Sequence, residues 1–306
     1  MSGGATTPTQ RIVHPPGYRN GRLHFDDPRY AVLRTDFDVA AYTREVQGRL
    51  HFDASEVRIP PIARRDLEYL WRVENSAITE LRALLSSWTG NEARITAFLA
   101  SWAFERYWMA RAVKELLATD GHPEPEPTSP RGLEAHVRNA YVEYFLPIVS
   151  PLVSMAVGEP VTAGHMARMA VHEGALWVAY HALLDEVDGT ARGVFEQIIA
   201  RRRPMVSFFR QEATTRIQRS AAERRAARTY LRGWEPLRVG GVPDADGGRA
   251  LRSLFHAPEI IAMLAESDDS VGSLLPGRPR PSIAALRRAG VSRELMTANR
   301  SWNDDI

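Results

Sequence analysis

The sequence predicts an all-α fold, and three observations carry that expectation. Apolar residues recur at i, i+3, i+4 and i+7 over four long stretches, the spacing that lines up one face of a helix. These stretches end at stop signals, Trp88-Thr89-Gly90 and Asp120-Gly121 among them, and the last begins after Asp188-Gly189. At 306 residues and 44% hydrophobic, the chain is also long enough to bury a large core between such helices.

Residues 1–59 are rich in Pro, Gly, Arg and Asp and read as an irregular N-terminal arm wrapped over a core, with one short helix around Val39–Gln47. The hexapeptide GRLHFD occurs there twice, at Gly21–Asp26 and Gly48–Asp53, either as a local duplication or as two equivalent docking segments. Residues 60–232 form the helical bundle. In its first long helix, from Asp66 to about Leu81, the spacing aligns Leu67, Leu70, Trp71, Glu74, Ala77 and Ile78. The second takes Asn91 as N-cap and runs Ile95, Phe98, Leu99, Trp102, Glu105/Arg106, Met109, Val113 and Leu116. After the loop HPEPEPTSPRG comes a connecting helix around Leu133–Val157, broken by Pro147 and Pro151.

The third long helix covers about His165–Glu186, with Met169, Glu173, Trp177 or Leu176, Tyr180 and Leu184 in line. The fourth runs through Phe195, Ile198/Ile199, Arg202, Met205 and Phe208/Phe209 to about Tyr230. Inside it, Pro204 has no N–H to give the Ala200 carbonyl; a kink there, costing about 3 kcal/mol, would widen the core. Residues 233–306 form a C-terminal helical appendage or lid, with helical pattern near Ala250–Ala265, interrupted at Pro258, and again near Ile283–Ala289.

Two of these helices carry the same motif, Arg-x-x-Met, at Arg106/Met109 and Arg202/Met205. Four-helix di-iron proteins carry Glu-x-x-His at such positions, plus one Glu from each remaining helix. Arginine has only donors and stays protonated, so it ligates no metal, and a thioether is too soft for such a site. The chain resembles the ferritin-like, acyl-carrier-protein-desaturase-like proteins over most of its length. LEYLWRVENSAI is similar to the first Glu-bearing helix, FLASWAFERYWMARAV to a segment that usually reads Glu-Glu-x-x-His, HMARMAVHEGALWVAYHAL to the third helix and IIARRRPMVSFFRQEA to the last Glu-x-x-His helix.

The resemblance implies a ferritin-like four-helix bundle in two hairpins joined by one crossover, and a homodimer. It implies metal ligands at Glu74 and Glu173, while the other four ligand positions hold Arg106, Met109, Arg202 and Met205; Glu105 stands one residue out of phase. In such a site four carboxylates balance two divalent cations, whereas Glu74 and Glu173 with Arg106 and Arg202 are neutral without any metal. Each arginine is therefore expected to bridge a carboxylate, since buried charges must be paired.

Composition narrows the function. The formal net charge is only +2, with 39 Lys+Arg against 37 Asp+Glu, which does not suggest nucleic acid despite a pI near 9.0. There is no cysteine, so disulfides, iron–sulfur clusters and thiolate catalysis are excluded. No stretch approaches eighteen uninterrupted apolar residues, and the start MSGGATTPTQ lacks the layout of a secretory signal; a cytoplasmic protein with no membrane partner is expected.

The leading reading is a metal-free, cofactor-independent enzyme of secondary metabolism, working by acid/base cyclisation, isomerisation or elimination on a small, largely apolar biosynthetic intermediate. Its candidate catalytic residues are Glu74, Glu105, Glu173, Arg106 and Arg202; Met109, Met205, Trp71, Trp102, Trp177, Tyr180 and Phe208 are candidates for substrate binding. The structural alternative for the Glu/Arg set is a salt-bridge network plugging a vacated metal site. The functional alternative is a non-catalytic partner or scaffold protein of a biosynthetic pathway, which a large exposed apolar patch on one helix face would favour. A further alternative is a di-iron-type oxygenase or desaturase with rearranged ligands. Metal recruited by His165, His172 or His181 with Glu173 is a weaker variant, because His165 and His172 stand about 10.5 Å apart along the helix. Helical geometry splits Arg201-Arg202-Arg203 between faces, which leaves Arg201 and Arg203 in solvent.

Overall fold

A computed structural model describes residues 18–19, 22–23, 33–119, 122–125, 158–238, 244–275 and 280–291. The expected connecting helix around Leu133–Val157 lies outside the described residues. Residues 1–34 and 35–306 separate into two units. In the first, strand β1 (Tyr18–Arg19) pairs antiparallel with β2 (Arg22–Leu23), Arg19 opposite Arg22. The sequence between them is Asn-Gly, the strongest short hairpin signal.

The second unit is helical among its described residues. It comprises α1 (Val39–Arg44), α2 (Pro61–Asn75), α3 (Ala77–Leu85), α4 (Ala93–Leu117), α5 (Pro160–Leu184), α6 (Gly189–Arg219), α7 (Ala221–Leu231), α8 (Asp244–Leu254), α9 (Pro258–Gly272) and α10 (Pro281–Arg288). None of the described helices is long and apolar enough to cross a membrane.

Helix α5 is buried on nearly all sides and packs against α6, α7 and α9. Two glycines make this possible. A Cβ at Gly164 would lie 2.5 Å from the Tyr230 ring of α7, and one at Gly174 would overlap the Ser267 hydroxyl of α9. Helix α4 packs on α1, α2, α3 and α6. Residues 35–37 are drawn onto this side by Arg94, which donates to the Phe37 carbonyl at 2.8 Å and the Thr35 hydroxyl at 2.7 Å.

Several boundaries differ from the sequence reading. The first long helix is two, α2 and α3, joined at Ser76. The Val73 carbonyl there accepts from the Ser76 N–H (3.2 Å), the Ser76 hydroxyl (2.7 Å) and the Arg106 guanidinium (2.9 Å), which draws it out of a regular helical ladder. Helix α4 is capped at Glu92 rather than Asn91, which belongs to a preceding 3-10 turn, Trp88–Asn91. The fourth helix stops at Arg219. Ser220 is extended and caps α7, its hydroxyl accepting from the Glu223 N–H at 3.2 Å and donating to the Glu223 carboxylate at 2.9 Å. Helix α5 starts early because Pro160 is well suited to a first turn. Helix α6 continues without a break through Pro204.

Candidate functional site

Helices α2, α4, α5 and α6 each send one charged side chain to a common buried centre. Glu74, Arg106, Glu173 and Arg202 are essentially inaccessible to solvent. The two arginines each touch both glutamates. Arg106 Nη1 donates to Glu173 Oε1 at 2.6 Å and its Nε is paired with Glu74 Oε2. Arg202 Nη1 donates to Glu173 Oε2 and Nη2 to Glu74 Oε1. Three of the four carboxylate oxygens thus accept guanidinium hydrogen bonds and the fourth, Glu74 Oε2, is held by the ion pair alone, while Glu173 Oε1 also accepts from Trp102 Nε1 at 2.9 Å.

Three of the positions expected to bind substrate, Met109, Trp102 and Tyr180, lie against this quartet. Met109 Sδ lies 3.9 Å from Arg202 Nη2. The Arg106 guanidinium sits 5.3 Å from the Trp102 ring and that of Arg202 5.6 Å from the Tyr180 ring, distances at which cation–π attraction operates. Met205 is buried and Trp71 nearly so, and both belong to the hydrophobic core. Phe208 belongs to an aromatic cluster with Phe37, Phe98 and Phe209, which reaches Trp102 through Phe209, at 6.0 Å between ring centroids. Trp177 is only partly buried and packs on His181.

Electrostatics make the quartet self-consistent. Burial alone would raise the Glu173 pKa, but Arg202 and then Arg106 outweigh it and hold the carboxyl down to about 2. Burial likewise works against the Arg106 charge, and Glu74 and Glu173 more than offset it, so its pKa is raised. Burial, then the charge of Glu74, pushes the Tyr180 hydroxyl well above its ordinary value.

These residues do not fit a dinuclear metal site, because guanidinium groups occupy the carboxylate oxygens that would face the ions. The helical histidines are engaged separately. His165 Nδ1 is 2.7 Å from the Thr89 hydroxyl, His172 Nδ1 accepts from the Leu237 N–H at 3.4 Å, and His181 Nδ1 is 2.8 Å from the Trp177 carbonyl. Burial lowers the pKa of both His165 and His172, so neither carries charge near neutrality. Among the described residues, no three His, Cys, Asp or Glu side chains come together as a metal-binding group.

Glu105 is not part of the quartet. It faces α1, where Tyr42 donates to Oε2 at 2.5 Å and the Gln47 N–H to Oε1 at 3.0 Å. Burial, then the Glu105 charge, raises the Tyr42 pKa, so the phenol stays protonated. This pair borders a cleft of about 380 Å³ between α1, α4 and α6, whose lining also includes Phe37, Glu45, Ala200, Arg201 and Pro204. Arg201 is a correction to the sequence reading. It is only 9% exposed, and Nη1 donates to the carbonyls of Gly48 (2.5 Å) and Gln47 (3.4 Å), whereas Arg203 is exposed as expected.

Sequence reasoning also passed over a second buried ion network. Arg216 joins Glu212 (3.2 Å) and Glu92 (2.5 Å), and Arg94 pairs with Glu212 as well. Its legible signal was the Glu212/Arg216 pair four apart on one helix.

The chain matches no known protein family, no curated protein and no solved structure.

Proposed function

We propose that this protein is a metal-free acid/base enzyme on a ferritin-like bundle, with its working site in the α1–α4–α6 cleft and the Glu/Arg quartet as its structural centre. One observation carries the reading: of the three candidate carboxylates, Glu74 and Glu173 are closed to solvent with every oxygen ion-paired to a buried guanidinium, while Glu105 borders open space. A catalytic base must reach the proton it takes. Glu105 accepts two hydrogen bonds, and a carboxylate has about four lone-pair sites, so two remain for a ligand. Tyr42, kept neutral by burial and by its neighbour's charge, holds the carboxylate in place and can follow a change in its protonation. A cleft of this volume suits a small substrate.

The test compares wild type with Glu105→Gln, after both are shown to melt alike, by incubating each with a small-molecule extract in chelator and following the extract by mass spectrometry. A conversion that conserves mass or loses water, present with wild type and absent with the variant, is expected. Identical product profiles would contradict the reading.

The runner-up, a non-catalytic partner protein, also has its own support. Phe104 and Tyr107 are 46% and 53% exposed on the outer face of α4, and both rings stand edge-on to Trp108. Aromatic residues at helical spacing are what one helix offers another. On this reading the chain forms a dimer through that face, with a second copy or with a homologue bearing Glu-x-x-His on both helices. Sedimentation would then show a dimer that F104S/Y107S dissociates; a monomeric wild type, alone and with the homologue, would exclude it.

A further inference from the structure

We infer that the α1–α4–α6 cleft reads a zwitterion: an amino acid with an apolar side chain, its ammonium on Glu105 and its carboxylate on Arg201. The inference rests on the reading of this cleft as the working site and names the class of molecule that enters it.

The cleft brings together one carboxylate and one guanidinium that are both more than nine-tenths buried, Glu105 at 3% exposure and Arg201 at 9%. They are not hydrogen-bonded to each other. Glu105 is held by Tyr42 and the Gln47 N–H, and Arg201 by two backbone carbonyls through Nη1 alone. A buried charge whose hydrogen bonds all go to neutral groups is compensated only at a distance, and a ligand charge of opposite sign in direct contact would complete it. The Glu105 charge favours the charged form of Arg201 across the cleft, yet no hydrogen bond joins them, so the two buried opposite charges, with the exposed Asp38 and Glu45 at the margin, match the two ends of an amino acid bound between them.

The valences agree with this assignment. Arg201 Nε is buried with no hydrogen-bond partner, and among the described residues only Nη1 of this side chain is engaged. A carboxylate binds arginine best through two parallel N–H donors, and the Nε–Nη2 edge is the pair left over. On the other side, Glu105 keeps two acceptor sites for an ammonium with three donors. A third acceptor is available nearby, because Pro204 has no N–H to offer the Ala200 carbonyl and both residues line the cleft. Phe37, Ala41 and Pro204 supply the apolar wall for a side chain.

Arg201 does a second job by the same contacts. Its hold on the Gln47 and Gly48 carbonyls fixes the segment whose Gln47 N–H reaches Glu105, so the two ends of the reader are mechanically joined. That segment begins the second GRLHFD copy, whose conformation is thereby tied to the cleft.

The full chain is titrated calorimetrically with L-phenylalanine, with phenethylamine, which lacks the carboxylate, and with 3-phenylpropionate, which lacks the ammonium. Wild type is expected to bind L-phenylalanine at least about ten-fold tighter than either truncated probe. E105Q should lose that preference over 3-phenylpropionate, and R201K, which keeps the charge but not the fork, should lose it over phenethylamine. Equal affinity for all three probes, no heat with any of them, or preferences unchanged in both variants would overturn the inference. If L-phenylalanine fails to bind while the E105Q-sensitive conversion persists, the zwitterion assignment falls and the catalytic reading of the cleft survives.

Discussion

Glu173 is the residue on which the centre turns, since it accepts from both arginines and from Trp102. Glu173→Gln leaves two buried guanidinium groups each short of a charged partner and should cost about 3–5 kcal/mol, measured by urea unfolding. Replacing the whole quartet by apolar side chains of similar volume, E74L/R106M/E173L/R202M, should recover most of that loss, because no stranded charge remains. If the quadruple variant is less stable than E173Q, the quartet is not a self-compensating plug.

The same residue sets a pH dependence. Its pKa of about 2 in the fold lies below the ordinary 4.5, so the unfolded chain binds more protons between those values. The stabilisation is present above about pH 4.5 and is lost as pH falls towards 2. Asp268 runs the other way. Burial raises it from 3.8 to about 6 despite hydrogen bonds from the Ser282 N–H and hydroxyl, so its contribution is full below pH 3.8 and is lost as pH rises to about 6. Asp268→Asn should flatten the decline between pH 4 and 6 in urea titrations; an unchanged slope would assign that decline to other groups.

At the scale of elements, close approach around α5 depends on glycine. Gly164→Ala and Gly174→Ala should each destabilise by about 1–3 kcal/mol through overpacking against Tyr230 and Ser267, and wild-type melting temperatures would contradict this packing. Ser220→Ala should cost about 1 kcal/mol by removing the cap of α7. Helical periodicity made the long helices legible, and the pairing of Arg106 and Arg202 with two glutamates followed from charge balance applied to the positions that the family resemblance singled out. Breaks were less legible for an identifiable reason. The Ser76 break depends on a carbonyl contacted by Arg106, thirty-three residues away in sequence, which no local pattern reports. The Ser220 break was readable, because Ser-Ala-Ala-Glu is the sequence signature of a helix N-terminus, but continuous apolar spacing on both sides hid it. Glu105 was identified as a candidate yet set beside the wrong partners, since one residue of phase on a helix turns a side chain by about 100°. Its partner Tyr42 sits on a six-residue helix outside the long repeats, where spacing carries little information.

At the scale of the whole molecule, the Glu/Arg quartet is a closed centre and the α1–α4–α6 cleft an open margin. Paired side-chain charges occupy the interior between α2, α4, α5 and α6, and the proposed function requires no metal there. The most direct test is elemental analysis of the full chain expressed with excess iron and manganese and purified without chelator. Far less than one metal ion per chain is expected, unchanged in E105Q. Stoichiometric iron or manganese, released only when the bundle unfolds, would contradict it.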